Sequence, residues 1–341
     1  MSKYAAMVDQ STKKNDPSWR EILQKYNTPS VLRSVWQLIS SLALYALLWY
    51  AMLLSLEISF WITLVISLIA GGILTRIFII FHDCGHGSFF TSGKWNSIIG
   101  NLTGILTFTP FVRWTDSHRT HHFTVGNLDK RGIGDVWTLT ADEYLALSPP
   151  KKLQYRLFRH PLIMLGLGGF LVFVVGNRFT TRIMNRQQKL NIYFTNVCIG
   201  LLVVGLSFLI GWKSYLLIQI PTFYFASVLG TYLFYLQHQY KGVQWYRQEE
   251  WNYETVALKG SSYFHLPLLL RWFTGNIGFH HIHHLGPSVP NYYLYRCYKA
   301  NPIFQQIKPI TFWSGFSCLR LRLWDEKLKH IVGFRELKLK A

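Results

Sequence analysis

Long apolar stretches alternate along the chain with long polar, basic ones. A helix needs about 20 apolar residues to cross a bilayer. Four stretches reach that length, at roughly 36–55, 58–81, 190–211 and 214–236. Little more than Glu57 separates the first two, and Trp212 and Lys213 separate the last two. The pattern predicts an all-α integral membrane protein of two transmembrane helical hairpins. A fifth apolar stretch, PLIMLGLGGFLVFVVG at 161–176, is shorter and rich in glycine, and Arg178, Arg182, Arg186 and Lys189 follow it directly. It is expected to lie in the interface or half-enter the membrane.

Charge assigns the sides. All but two of the 35 Lys and Arg residues, Arg76 and Lys213, fall before the first span, in 82–189, or after 236. By the positive-inside rule these three segments face the cytoplasm. That requires an even number of spans and puts both termini inside. One domain, 1–341, is expected, with a cytosolic helical cap made from 82–189 and 237–341. The first thirty residues are polar and lack the apolar core of a cleaved signal peptide.

Composition agrees with a membrane protein. Half the residues are apolar and 15% are charged, against about 25% charged in soluble domains. A net charge of +19 alone would allow a nucleic-acid partner. The basic residues form no aromatic-interleaved module, so none is expected, and anionic lipid is the simpler counterpart. Cys84, Cys198, Cys297 and Cys318 are scattered, without a CxxC pair, which points away from a disulfide framework or a zinc ribbon.

The thirteen histidines cluster. HDCGH supplies His82 and His86, HRTHH supplies His118, His121 and His122, and FHHIHHLG supplies His280, His283 and His284, with His281 between them. His238 adds one where the fourth span reaches the cytoplasm. Helical positions i, i+3 and i+4 share a face, so each HxxHH is expected to aim three imidazoles at one point, and HxxxH two. Nine candidate ligands exceed the four of a structural zinc and suit two metals with open positions. Imidazole ligation fits iron, copper, zinc or nickel, so the ligand set does not name the metal. His281 is expected off the ligand face, among the groups that orient the ligands. His160, His265 and His330 are expected at the surface or interface.

Two rival chemistries fit only parts of this pattern. HDCGH has the spacing of the HExxH zinc-protease motif with Asp for Glu, but a membrane metalloprotease leaves the two HxxHH boxes and His238 unused. A metal transporter would carry ionisable ligands inside its spans, and here these are nearly absent.

The three boxes resemble those of the membrane fatty acid desaturases. HDCGHGSFF, HRTHHFTVGNLDKRGIGDVWTLT and GSSYFHLPLLLRWFTGNIGFHHIHHLGPSVPNY look like the bacterial acyl-lipid desaturases of the delta-12/delta-5 type, over roughly residues 30 to 310. The resemblance implies a non-haem di-iron centre that uses O2 to remove two hydrogens from adjacent methylenes of an acyl chain, with a lipid-linked substrate and a bacterial inner membrane location; the imidazole set would equally take two zincs if overexpression misloads it. It implies as ligands His82, His86, His118, His121, His122, His238, His280, His283 and His284. The related acyl-CoA enzymes have an asparagine four residues before the isolated histidine, binding iron through water; Phe234 stands there in this chain, with Gln237 as a possible substitute. His265 stands where close relatives are expected to have an aspartate. A hydroxylase of the same superfamily is the alternative enzyme.

An all-imidazole site needs carboxylates to orient the rings and balance charge, and Asp83, Asp116, Asp129 and Asp135 lie near the boxes. Trp114, Trp137, Trp245 and Trp272 are candidate walls for an apolar acyl tunnel. No haem-binding module, flavin motif or GxGxxG appears, so electrons are expected from a ferredoxin-like or cytochrome b5-like partner.

Overall fold

The computed structural model describes residues 18–338. Its principal helices, in chain order, are α1 (Val31–Leu56), α2 (Phe60–His86), α3 (Phe111–Thr124), α4 (Arg186–Ile210), α5 (Trp212–His238), α6 (His280–Leu285) and α7 (Asn291–Ala300). Among the described residues, α1, α2, α4 and α5 are long and apolar enough to cross a membrane. The helices outrun the apolar runs: α2 continues to His86 and α5 to His238. Backbone hydrogen bonding does not stop where apolar side chains do, so the first box and His238 are carried on the ends of long, rigid helices.

Local signals set the ends. Ser59 caps α2 by accepting from Trp61 N–H. Gly87, at φ 70°, closes it just after His86, its N–H reaching the carbonyls of Asp83 and Cys84. Such a left-handed closing residue is most readily a glycine. An Asn185–Gln188 capping box opens α4, which satisfies two first-turn donors reciprocally. α2 is the central helix, packed against α1 and α5.

The segment read as interfacial is bent. Pro149–Phe158 and Leu162–Arg178 meet at 63°, and the second part begins as a π-helical segment, Leu162–Gly168. It lies against α5 through Gly169, where an added Cβ would collide with Thr231 Oγ1 and stand 3.0 Å from Ser227 O.

The cap departs from the all-helical expectation. Leu139–Thr140 (β1), Leu323–Asp325 (β2) and His330–Val332 (β3) form a small sheet, β1 parallel and β3 antiparallel to β2. Leu323, Trp324, Ile331 and Val332 are buried. These runs are too short for periodicity to separate strand from helix, and β1 pairs with a segment nearly 200 residues away. Arg159, 1% exposed, binds this corner together. Its guanidinium donates to Trp137 O (2.8 Å), Thr138 Oγ1 (2.9 Å), Gln239 Oε1 (2.8 Å) and Leu321 O (3.1 Å).

Candidate metal centre

The histidine boxes of the sequence converge in space. α2 presents His82 and His86, α3 presents His118, His121 and His122, α5 ends on His238, and α6 presents His280, His283 and His284. Their ligand atoms fall into two groups, His82/His86/His118/His283 and His121/His238/His280/His284, each with all atoms within 4.8 Å of one another. His122 stands between them. Its Nε2 is 3.2 Å from that of His118 and 3.1 Å from that of His283, and its ring stacks on His284 at 4.1 Å.

The boxes therefore do not each converge on one point, as the shared-face argument predicted. α3 sends His118 to one group and His121 to the other. α6 sends His283 to the first and both His280 and His284 to the second. The pairs four apart, His82/His86 and His280/His284, share a group, while the pairs three apart, His118/His121 and His280/His283, are split between the groups. A one-faced strip of three imidazoles spans two centres.

The donor set fits cations. His238 Nδ1 lies 2.9 Å from Gly260 O, a group that only accepts, so Nδ1 carries the hydrogen and Nε2 is a bare lone pair. His121 Nδ1 likewise donates to Asp135 Oδ1 at 2.8 Å. The two bare Nε2 atoms face each other at 3.0 Å, and His280 Nε2 lies 3.1 Å from that of His238. Burial, with neighbouring imidazoles adding to it, holds His118, His122, His280, His283 and His284 well below the usual histidine range. His86 Nε2 and His284 Nε2 are buried without a hydrogen-bond partner. Two ligand nitrogens bound to one metal at right angles stand about 3 Å apart, which is the spacing seen.

Of the four carboxylates, two touch imidazoles. Asp83 Oδ1 accepts from His82 Nδ1 at 3.2 Å, and Asp135 serves His121. Asp116 instead accepts from Gln188 Nε2 at 2.8 Å and pairs with Arg119 at 3.8 Å. Asp129 is taken by Arg247 Nη1 (2.6 Å) and Gln248 N–H (2.8 Å), which hold its carboxyl below the usual range. Both lie toward solvent, away from the rings. Asp83 also accepts two bonds from Asn291, so it is not free to activate water as the protease reading of HDCGH required.

His281 belongs to neither group. Its Nε2–H donates to Phe304 O at 3.1 Å, and burial lowers it to about 4. His265 meets Tyr263 OH at 2.7 Å, His330 Nδ1 meets Leu328 O at 3.1 Å, and His160 is exposed. All three stand outside the cluster.

A cavity of roughly 500 Å³ opens against His82, His118 and His280, between α2, α5 and the 162–174 segment. Trp114 lines it and stacks on His118 at 4.4 Å and 19°. The other tryptophans lie elsewhere. Trp137 packs on Tyr155 and Phe158 at 5.0 and 5.4 Å, Trp245 is in the buried core, and the Trp272 ring lies 4.3 Å from the Arg76 guanidinium. The walls that sequence reasoning missed are Leu74, Phe78, Phe173, Phe223 and Phe234. Leu74 and Phe78 precede His82 by eight and four residues, so helical spacing back from the box was a usable signal. Phe234 lies 5.6 Å from His121 and 6.0 Å from His238 by ring centroids. Gln237 lines the cavity too, and its backbone carbonyl accepts from Ser262 N–H.

Residues 59–313 match the sequence model of the family described as Fatty acid desaturase. The chain is 42% identical over 332 residues to a fatty acid desaturase of Bacillus subtilis (strain 168), covering 97% of this chain and 94% of that protein. It is 33% identical to a chloroplastic omega-3 fatty acid desaturase of Sesamum indicum, covering 66% of this chain and 51% of the relative. It is 30% identical to the chloroplastic sn-2 acyl-lipid omega-3 desaturase (ferredoxin) of Arabidopsis thaliana, covering 67% and 53%. The chain thus spans about half the length of these two plant proteins.

Proposed function

This chain belongs to the fatty acid desaturase family and is an oxidoreductase that desaturates fatty acyl chains; we propose that it places a cis double bond in a lipid-linked chain, with two irons and O2. The observation that carries the metal reading is the pair of four-imidazole groups whose bare nitrogens face one another. One iron would be held by His82, His86, His118 and His283, the other by His121, His238, His280 and His284, with His122 between.

When bound, the irons supply the O2 activation that breaking an unactivated C–H bond demands. The residues of this chain do the rest. Asp83 and Asp135 hold His82 and His121 as Nδ1–H tautomers, which leaves each Nε2 free to ligate. Trp114 fixes the His118 ring by stacking. Leu74, Phe78, Phe173 and Phe223 hold methylenes in a dry channel beside the rings and keep water out. The chain gives up two hydrogens with two electrons, and reduction of O2 to two waters takes two more. Those come from an external ferredoxin-like or cytochrome b5-like donor, for which a basic protein of net charge +19 is a suitable partner when the donor is acidic.

The topology that goes with this reading has four spans in two hairpins, both termini and the cap cytoplasmic, and a bacterial inner membrane. Its support is the placement of all but two of the Lys and Arg residues. The test is expression in a host of simple lipid composition, followed by fatty-acid analysis of the membrane lipids. A new double bond, absent when O2 is withheld, is expected. A hydroxylated chain in its place would assign the sister activity and sink the proposal.

A further inference from the structure

His82 is tied to α1 by a buried polar chain of four residues. Gln37 of α1, Asn291 of α7, Asp83 and His82 are 4%, 1%, 2% and 4% exposed. Asp83 Oδ1 accepts from His82 Nδ1. Asp83 Oδ2 accepts from Asn291 N–H at 2.7 Å and from Asn291 Nδ2 at 2.8 Å. Behind it, Gln37 Nε2 donates to Asn291 Oδ1 at 3.0 Å, and Asn291 Nδ2 meets Gln37 Oε1 at 3.3 Å.

Donor and acceptor chemistry leaves one arrangement. A carboxylate only accepts, so the Asn291 amide must turn its nitrogen to Asp83 and its oxygen away. That oxygen then requires a donor, and the Gln37 amide supplies it. Asn291 is also the first residue of α7, so its N–H lacks an intrahelical acceptor, and Asp83 takes it. The carboxylate is thereby held at a helix N-terminus, where negative charge is favoured.

We propose that Gln37 and Asn291 are positioning residues of the metal centre: they lock Asp83 so that His82 presents its Nε2 to the group formed with His86, His118 and His283. The inference rests on the two-metal reading above. It goes further in predicting an asymmetry between the two groups. The second group is oriented by Asp135 through His121 and by Gly260 O through His238, and neither of these contacts involves Gln37 or Asn291.

Asn291→Asp decides the matter. The substitution keeps the shape and leaves an acidic residue in the first turn of a helix, which folding favours. It also sets a second carboxylate against Asp83 Oδ2. Protein reconstituted with ferrous iron is assayed for iron per chain and for release to a ferrous chelator, with monodispersity checked in detergent. Wild type is expected to hold two irons. Asn291→Asp should hold about one, the other bound about 10–100-fold more weakly. Gln37→Met, which removes the amide pair from a distance, should shift release the same way by less.

Combination with ligand variants identifies the group. Asn291→Asp should add little to the iron loss of His86→Ala, which already disables the first group. It should remove the remaining iron from His280→Ala. Retention of two irons at the wild-type release rate overturns the proposal, and so does equal loss from both groups. If wild type holds one metal, the two-iron reading fails separately. The positioning role is then still decided by whether Asn291→Asp speeds that metal's release.

Discussion

His121 and His238 reach the same point from helices that are far apart in sequence, with their Nε2 atoms 3.0 Å apart and both Nδ1 hydrogens already donated, to Asp135 and Gly260 O. A cation between them satisfies both lone pairs. Replacing either histidine by alanine should remove the metal of the second group and abolish desaturation. Metal analysis and fatty-acid profiles of the same preparations check this. His160→Ala, His265→Ala and His330→Ala should keep metal and activity. Full activity in His238→Ala would overturn the ligand assignment.

His281→Ala is expected to separate stability from metal binding. The residue is fully buried but spends Nε2–H on Phe304 O. Its loss leaves a buried carbonyl unpaired, worth about 1–3 kcal/mol. Thermal denaturation in detergent should fall by several degrees while two metals are retained. Loss of one metal with unchanged denaturation would contradict it.

Arg159 is buried without a carboxylate partner among the described residues, and its charge is spread over four carbonyl, hydroxyl and amide oxygens from three segments. Arg159→Met should destabilise the cap strongly, each stranded buried acceptor costing about 1–3 kcal/mol. Arg159→Lys should not rescue it, because an ammonium lacks the planar five-donor fork. Limited proteolysis near 137–140 and 321–325 reads the loosening. A lysine variant with wild-type protease resistance would refute this role.

Gly230 lines the cavity, and a Cβ built there meets no atom within 4 Å. Gly230→Leu should therefore fold and fill space that the acyl chain uses. The fraction of the longest chains desaturated should fall by about tenfold relative to shorter ones, the scale on which apolar pockets discriminate single methylenes. An unchanged chain-length profile would show that substrate does not pass this side of α5.

Membrane sidedness needs exposed reporters. Val125 and Leu285 flank the boxes but are buried, so cysteines there would stay unlabelled on either side. Ile183 is 95% and Leu328 44% exposed, and Ile58, in the first short turn, is 76% exposed. Cysteines at 183 and 328 should be labelled only after the membrane is opened, and one at 58 should be labelled in intact cells. External labelling at 183 would overturn the four-span topology.

The span positions and the nine clustered histidines were legible because both are local patterns: an apolar run of the right length, and spacings of three and four. Sorting the histidines into two groups was not legible. It depends on where α3 and α6 cross, and neighbouring residues of one box go to different centres. Asp83 and Asp135 looked no different from Asp116 and Asp129 in the sequence; what separates them is Asn291 and Gly132 on one side and Arg119 and Arg247 on the other. Three tryptophans were misplaced because ring size marks a wall only when the facing helix is known. Gly260, which orients His238 through a carbonyl, carried no side-chain signal at all.

Each metal group draws on α6, so neither can form while the chain ends before residue 283. A ribosome must deliver both pairs of long helices and most of the cap before any complete set of four ligands exists. On the two-metal reading, neither metal can therefore gain its full set of ligands until synthesis has passed the last histidine box. Under the two-iron reading proposed above, iron supply after that point would then limit how much of the synthesised protein becomes enzyme.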